Sequence, residues 1–400
     1  MTTLRVNPAD FAPPAVIPQW GRRALIAGVF FLAVSVAGAF LNPERFFHSW
    51  LIAFMFWLGL TLGSLALLML QYTSGGNWGR IGRRFWEAAT YNLWLMLACW
   101  ILIVVGMKMF NLYPWTKMKA DVLGEARAAY YLNPTFFIVR GIIYFIGWGF
   151  LAWRMQRWSR AEEAGQTTPA AFVGMQNLSG AGIVFYGLTI TFASVDWVMS
   201  LSPEWWSTVF GMLFMVGQCL STFAFTIFLL AKLSPREPLS RMFKTDYLHD
   251  YGKLMFAFVV LWAYLSFAQW LVIWSGNIVE EIRWYLDRIK GNWQILVIAL
   301  IGLHFVLPFA LLLSRSLKRQ ARRLVLIALL LMFMRYVDLF WLITPNFHQH
   351  VEWSDIAMDV VTFVAIGGLW LANFFHKLNR RALLPVNDPG FVEMLEAKHG

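Results

Sequence analysis

Along this chain, apolar stretches long enough to span a bilayer alternate with short polar segments. Ten such stretches lie near residues 23–41, 48–70, 87–109, 135–153, 172–197, 205–231, 253–274, 293–313, 324–343 and 356–375. Each is close to the roughly 20 residues that an α-helix needs to cross the hydrocarbon core. The pattern predicts an all-α integral membrane protein of about ten transmembrane helices.

The polar segments test that count. Loops on the side of the N-terminus carry Arg22–Arg23, then Arg80, Arg83 and Arg84, then Arg154, Arg157 and Arg160. Further along they carry Lys232, Arg236, Arg241 and Lys244, then Arg315 to Arg323, then Lys377, Arg380 and Arg381. Loops on the other side have few basic residues, mostly matched by acids, as in Glu280, Glu281, Arg283, Asp287, Arg288 and Lys290. Short basic loops face the cytoplasm. The alternation therefore puts both termini in the cytoplasm and requires an even number of spans.

The expected organisation is a cytoplasmic segment 1–22, a membrane domain 23–375 and a cytoplasmic tail 376–400. Spans two to five (about 48–197) and six to nine (about 205–343) read as two four-helix bundles, flanked by the first and last spans. Their sequences show no evident similarity. A repeat of four spans preserves orientation, so such halves are parallel rather than inverted. Two outer loops are long. Residues 110–134 hold Tyr113-Pro114-Trp115 and a short helix. Residues 275–292 place Ile278, Ile282, Tyr285, Leu286 and Ile289 at helical spacing with charges between. That predicts an amphipathic helix at the outer interface, either a membrane anchor or a ledge for a peripheral partner.

Composition agrees with lipid as the solvent. The chain is 59% hydrophobic and only 14% charged, where a soluble domain carries nearer a quarter. Its 22 Trp and 35 Phe suit a protein with many membrane–water boundaries. The net charge of +11 raises the question of nucleic acid. The basic residues sit in short loops between apolar runs rather than on a soluble basic module, so they read as signals facing an anionic leaflet. Lipids are expected partners and nucleic acid is not. Cys99 and Cys219 lie inside apolar runs and read as small core residues. The polar, Pro-rich stretch from Met1 to Trp20 is no cleavable signal peptide, so the first span directs insertion.

Ionisable residues inside a membrane are expensive and mark candidate functional positions. They are Arg140 in span four, Asp196 at the end of span five, His304 in span eight, Arg335 and Asp338 in span nine, and Asp359 in span ten. By topology His304 is close to the midplane and the rest crowd the outer half. Asp196, His304, Asp338 and Asp359 are candidates for proton carriage, with Arg140 and Arg335 as charge partners. Arg335 and Asp338 are three residues apart and share a helix face. They are either a structural ion pair or part of a proton path. His304 is a hydrogen-bonded packing residue, a proton relay or a quinone-headgroup ligand. Glu87 and Lys108, at the ends of span three, read as interfacial. Tyr264 and Gln269 in span seven read as hydrogen-bond partners between helices.

A bis-histidine haem needs two imidazoles at similar depth. His48, His249, His348, His350 and His376 lie at span ends or in loops, so no haem is expected. No spacing matches an iron–sulfur, flavin, nucleotide, zinc or nucleophile site. The chain is expected to bind no metal or cofactor and to hold no catalytic residue of its own, so electrons would travel through other subunits.

Three stretches resemble signatures of a known family. The first runs from Asp196-Trp197-Val198-Met199-Ser200-Leu201-Ser202-Pro203-Glu204-Trp205-Trp206 to Gly211. The second runs from Asp250-Tyr251-Gly252-Lys253 through Trp262-Ala263-Tyr264 to Ile273-Trp274-Ser275-Gly276-Asn277 and Glu280-Glu281. The third joins His304-Phe305 and Pro308-Phe309 to Arg335, Asp338, Trp341 and Pro345. They are similar to the polysulfide-reductase-like (NrfD-like) membrane subunits of alternative complex III. The length is closest to the second, smaller type, ActF. The resemblance covers about residues 50 to 375.

That resemblance implies a ten-helix fold and a place in the respiratory chain of a bacterial plasma membrane. The complex oxidises quinol and passes electrons to a periplasmic acceptor. Its iron–sulfur clusters and c-type haems sit on an iron–sulfur subunit and on multihaem and monohaem cytochromes c. A larger NrfD-like sister subunit holds the quinol site. The ActF type implies a cofactor-free paralogue that scaffolds the sister and offers a proton path, with quinone nearby. The family's quinol site is built on a His and an Asp in its first bundle, whereas spans two to five of this chain contain no mid-membrane His. Two alternatives remain open: the chain itself binds quinol near its outer face, or it is a secondary transporter. Transporters carry Gly/Pro breaks in symmetry-related spans. Pro308 is the main such break here, and it has no counterpart.

Overall fold

In a bilayer an apolar run must satisfy its own backbone hydrogen bonds, and a helix does so within one segment. The structure, a computed structural model, describes residues 8–119, 123–242, 245–348, 353–388 and 390–391. Lys244, His350 and residues 392–400 of the expected tail lie outside the described residues. Among the described residues there are helices and no strand. We number the principal helices α1 (Val16–Leu41), α2 (Pro43–Ser74), α3 (Arg83–Thr90), α4 (Leu93–Met109), α5 (Glu125–Tyr130), α6 (Pro134–Glu163) and α7 (Pro169–Trp197). They continue with α8 (Phe210–Leu233), α9 (Thr245–Gly276), α10 (Val279–Ile289), α11 (Trp293–Leu313), α12 (Ala321–Ile343) and α13 (Trp353–Leu378).

Nine of these are long and apolar enough to cross a membrane, and a tenth span exists if α3 and α4 count as one. The run expected as a straight helix at 87–109 is thus two helices, meeting at 41°. Helix α3 is wholly buried, and its charges pair with α6 and with the segment after α13. Three helices start at the same local signal, Asn42-Pro43, Asn133-Pro134 and Thr168-Pro169. In each the side-chain oxygen accepts a backbone N–H of the first turn and Pro occupies the first helical position. Several helices overrun their apolar cores, so α6 ends with a stretch that holds Arg157, Ser159, Arg160, Glu162 and Glu163.

Helices α1 and α13 are antiparallel. Gly21 lies beside Phe375, and Gly38 lies beside Met358. Both ends of the described chain therefore sit at one end of the bundle. The segment after α13 folds back there: Leu383, Leu384, Val386 and Phe391 are fully buried, and Leu383 N–H donates to Phe11 O at 2.9 Å.

Helix α2 is the central element. Its apolar stretch is enclosed on all sides, by α1, α3, α4, α7, α8, α12 and α13. Helix α8 is nearly as enclosed and packs on α2, α7, α9 and α12. Lipid is as apolar as Leu, so helices in a membrane are held by close packing and polar contacts. At the α2–α8 crossing, Gly63 has no room for a Cβ, which would lie 2.5 Å from the Gln218 carbonyl oxygen and also against Thr222 Oγ1. The perimeter helices instead expose large apolar side chains such as Phe30, Ile146, Val184, Ile298 and Phe333.

The predicted outer helix exists as α10, but another face docks. Trp284 and Arg288 are buried, whereas Ile278, Leu286 and Ile289 are exposed. Trp284 stacks on Trp205 at 4.2 Å. Arg288 lies over the Trp284 ring at 3.6 Å and donates to Leu342 O and to Asn346 Oδ1. Carbonyls take up both terminal nitrogens and a π-face covers the guanidinium, which is why a charge turns inward on this helix. Burial pushes Arg288 down to about 9, which leaves it charged at neutral pH.

The α2–α8 crossing yields a test. Gly63→Val is expected to destabilise the chain by at least about 1–3 kcal/mol through overpacking. Gly149→Ala, which meets nothing within 4 Å, is expected to be neutral or slightly stabilising. Thermal unfolding of both variants in detergent checks this.

Candidate functional site

Pro308 shapes the middle of α11. It has no N–H for the carbonyl of residue 304, and its ring crowds that carbonyl. Just before Pro308, the seven residues Leu300–Val306 form a π-helical stretch between two α-helical ones. Such stretches are rare and concentrate at functional sites. This one carries His304 into the protein, where it is fully buried. Its ring lies 4.1 Å from that of Trp262 on α9. The Met334 carbonyl is beside it, yet neither ring nitrogen meets hydrogen-bond geometry.

Arg335 and Asp338, one turn apart on α12, form a buried ion pair next to this histidine. The Arg335 guanidinium lies 5.3 Å from the centre of the Phe214 ring. Helix α8 makes room for it with Gly217, whose Cβ would stand 2.5 Å from Arg335 Nη1. One residue on, Gln218 Oε1 accepts from Tyr186 Oη at 2.8 Å. Five helices thus converge on one polar cluster: α7, α8, α9, α11 and α12.

Two more pairs form away from the termini. Arg140 Nε and Nη2 reach both Asp196 oxygens at 2.8–3.2 Å, and Tyr144 Oη donates to Asp196 Oδ2 at 2.8 Å. Asp359 pairs with Arg45, at the start of α2. One turn along α2, His48 stacks on Phe347 at 3.6 Å, and the His348 ring is 5.7 Å from it. Sequence reasoning did not single out Arg45. The available signal was a lone basic residue opening an apolar run at the same end as Asp359.

The segment after Asp196 ties the two halves of the chain together. Ser200 Oγ donates to Asp196 O at 2.6 Å, and Ser207 Oγ donates to Gln269 Oε1 at 2.9 Å. Gln269 Nε2 then donates to Tyr285 Oη at 3.0 Å. Burial pushes the Tyr285 phenol up to about 12, so it stays protonated at neutral pH while its oxygen accepts this bond. Gln269 therefore links helices, whereas Tyr264 is 65% exposed and faces outward. Beside this segment lies a cavity of about 220 Å³, lined by Tyr131, Met199, Pro203, Trp205 and Trp206 among others.

Among the described residues, the largest charge cluster lies at the end that holds both α1's start and α13's end. Glu87, expected at an interface, is 2% exposed there, while Lys108 at the far end of α4 is exposed. Arg83 pairs with Glu87 at 2.9 Å, with Asp388 at 3.0 Å and with Glu162. Arg84 reaches Glu87 at 2.8 Å and Glu163 at 3.6 Å. Arg381 reaches Glu87 at 3.2 Å and donates from Nε to Glu163 at 2.7 Å. Arg80 adds a 3.2 Å contact to Asp388. Burial opposes the charge on Arg381, but Glu87 and Glu163 outweigh it and raise its pKa. Four arginines thus face four carboxylates and fasten α3, α6 and the segment after α13. The sequence signal was the presence of acids, Glu87, Glu162 and Glu163, within otherwise basic segments.

Removing one member of a buried ion pair costs about 3–5 kcal/mol, because it leaves the other charge stranded. Asp196→Asn and Arg140→Gln singly are expected to lower stability in that range. The double variant is expected to lose clearly less than the sum of the two, as read by a double-mutant cycle on thermal unfolding.

No model of a known protein family matches this chain, and no curated protein matches it.

Proposed function

We propose that this chain is an auxiliary membrane subunit of a quinol:electron-acceptor oxidoreductase of the alternative complex III type. It scaffolds a quinol-oxidising sister subunit and exchanges protons at His304 and Asp338. The observation that carries the proton role is the geometry of His304. Its buried imidazole lies beside the Met334 carbonyl with both nitrogens outside strict hydrogen-bond geometry, is carried by a π-turn, and neighbours a carboxylate–guanidinium pair. An imidazole accepts a proton at one nitrogen and releases one from the other, which is what a relay requires. Asp338 is the adjacent carboxylate, and Arg335 balances its charge.

The place in a complex rests on the resemblance. It is supported by where those stretches lie: the 196–211 stretch carries the ties between the two halves, and the third supplies the His304 cluster. Two bundles, α2–α7 and α8–α12, are supported by packing within each set and by contact along α2, α7 and α8. Cytoplasmic termini are supported by the basic loops and by the shared end of α1 and α13. A second reading, quinol binding by this chain, is favoured by the aromatic outer cavity at Tyr131, Trp205 and Trp206.

Gentle purification of the tagged chain is expected to bring c-type cytochromes and an iron–sulfur protein with it, visible by absorbance. A colourless, solitary chain would overturn the complex. In the assembled complex, His304→Gln and Asp338→Asn are expected to lower proton-coupled turnover on the order of tenfold or more while assembly persists. Unchanged turnover with intact assembly would sink the proton role. A photoreactive quinone captured at Trp206 would move quinol binding to this chain.

A further inference from the structure

The outward face of α6 carries an unmatched pattern. Ile143, Ile146, Phe150 and Trp153 form an exposed stripe at helical spacing, with Ile146 the most exposed at 67%. The same face continues into Arg157 and Arg160, both exposed, at the end of the helix. There a groove of about 460 Å³ is lined by Trp153, Arg157, Arg160, Ala161 and Gln166. The guanidinium groups of Arg154 and Arg157 lie 5.9 and 5.6 Å from the centre of the Trp153 ring.

The charges at this helix end are sorted by side. Glu162 and Glu163 point inward and are taken by Arg83, Arg84 and Arg381. Among the described residues, no carboxylate lies within 4.0 Å of Arg154, Arg157 or Arg160. Arg160 donates only from Nε, to Gln156 O at 3.3 Å. The guanidinium edges of Arg157 and Arg160 are therefore unmatched at the mouth of a groove.

We propose that this groove holds the headgroup phosphate of an anionic phospholipid, whose acyl chains lie along the apolar stripe of α6. Guanidinium groups bind phosphate oxygens with two parallel hydrogen bonds. Trp153 stands where the stripe meets the charges, the level at which Trp rings sit in a bilayer. An acidic protein segment would match the arginines but would have no use for four apolar residues leading down from them. The inference needs only that the helices span a membrane, so it stands or falls apart from the proton role.

Native mass spectrometry of the full chain in neutral detergent tests it, with phosphatidylglycerol, phosphatidylcholine and glycerol phosphate as probes. The chain is expected to retain phosphatidylglycerol in preference to phosphatidylcholine. Each guanidinium near a membrane surface contributes about fivefold in affinity, so R157Q/R160Q is expected to weaken phosphatidylglycerol about 25-fold. R157K/R160K keeps the charge without the paired hydrogen bonds and is expected to fall between. R22Q, at another basic site, is expected to change nothing. Wild-type affinity in R157Q/R160Q would overturn the proposal. So would full displacement of the lipid by an equal concentration of glycerol phosphate, which would mark a site for free phosphate. In the assembled complex, a photoreactive group at residue 157 that captured an acidic protein segment instead of lipid would also overturn it.

Discussion

The structure depends on the close approach of α2 and α8. In water, burial of apolar surface drives such contact, but between helices in lipid that drive is largely absent. What remains is packing, and packing requires small residues where backbones meet. Gly63 brings α2 against the Gln218–Thr222 face of α8. The residue before Gln218, Gly217, leaves the space that Arg335 fills. The same turn of α8 thus serves both the crossing and the polar cluster, because Gln218 lies at the crossing and also receives Tyr186.

The second constraint is charge. A formal charge in a low-dielectric interior is tolerated when paired and hydrogen-bonded. Arg45–Asp359, Arg140–Asp196 and Arg335–Asp338 obey this, as does the cluster of four arginines and four carboxylates near the termini. Arg288 obeys it differently, through carbonyls and an indole face. His304 departs from the pattern, being fully buried with two nitrogens outside hydrogen-bond geometry. Other buried side chains, among them Tyr72, Trp197 and Tyr251, also hold a polar atom outside hydrogen-bond geometry, so what marks His304 is its place beside the Arg335–Asp338 pair. The π-turn that presents it points the same way.

Much of the helical layout was legible from local features. Runs of apolar residues located the long helices, because hydropathy acts residue by residue. Asn-Pro and Thr-Pro pairs marked helix starts through capping chemistry. Pro308 signalled a disturbance in its span, though not that the turn would be π or would carry His304 inward. Other features were not legible. The bend at Tyr91–Asn92 comes with α3, which buries Arg83, Arg84 and Glu87 against α6 and residues 381–388, far along the chain. The face by which α10 docks follows from Trp205 and Asn346, which no periodicity within residues 275–292 contains. Tyr264 faces outward while Gln269, five residues on, faces a partner, a distinction set by neighbouring helices.

The sequence by itself determined that the chain is a helical membrane protein, roughly where its spans lie, and which ionisable residues lie within them. It determined this because transfer into lipid is nearly additive along a segment. Only the tertiary structure decided which charge meets which. Arg45 and Asp359 are 314 residues apart, and Arg140 and Asp196 are 56 apart. It also decided that the basic residues Arg83, Arg84 and Arg381 hold carboxylates inside the protein while Arg157 and Arg160 face outward. Pairing is a property of distance in space. The same guanidinium orients a loop, locks a helix or faces lipid according to what the fold brings beside it.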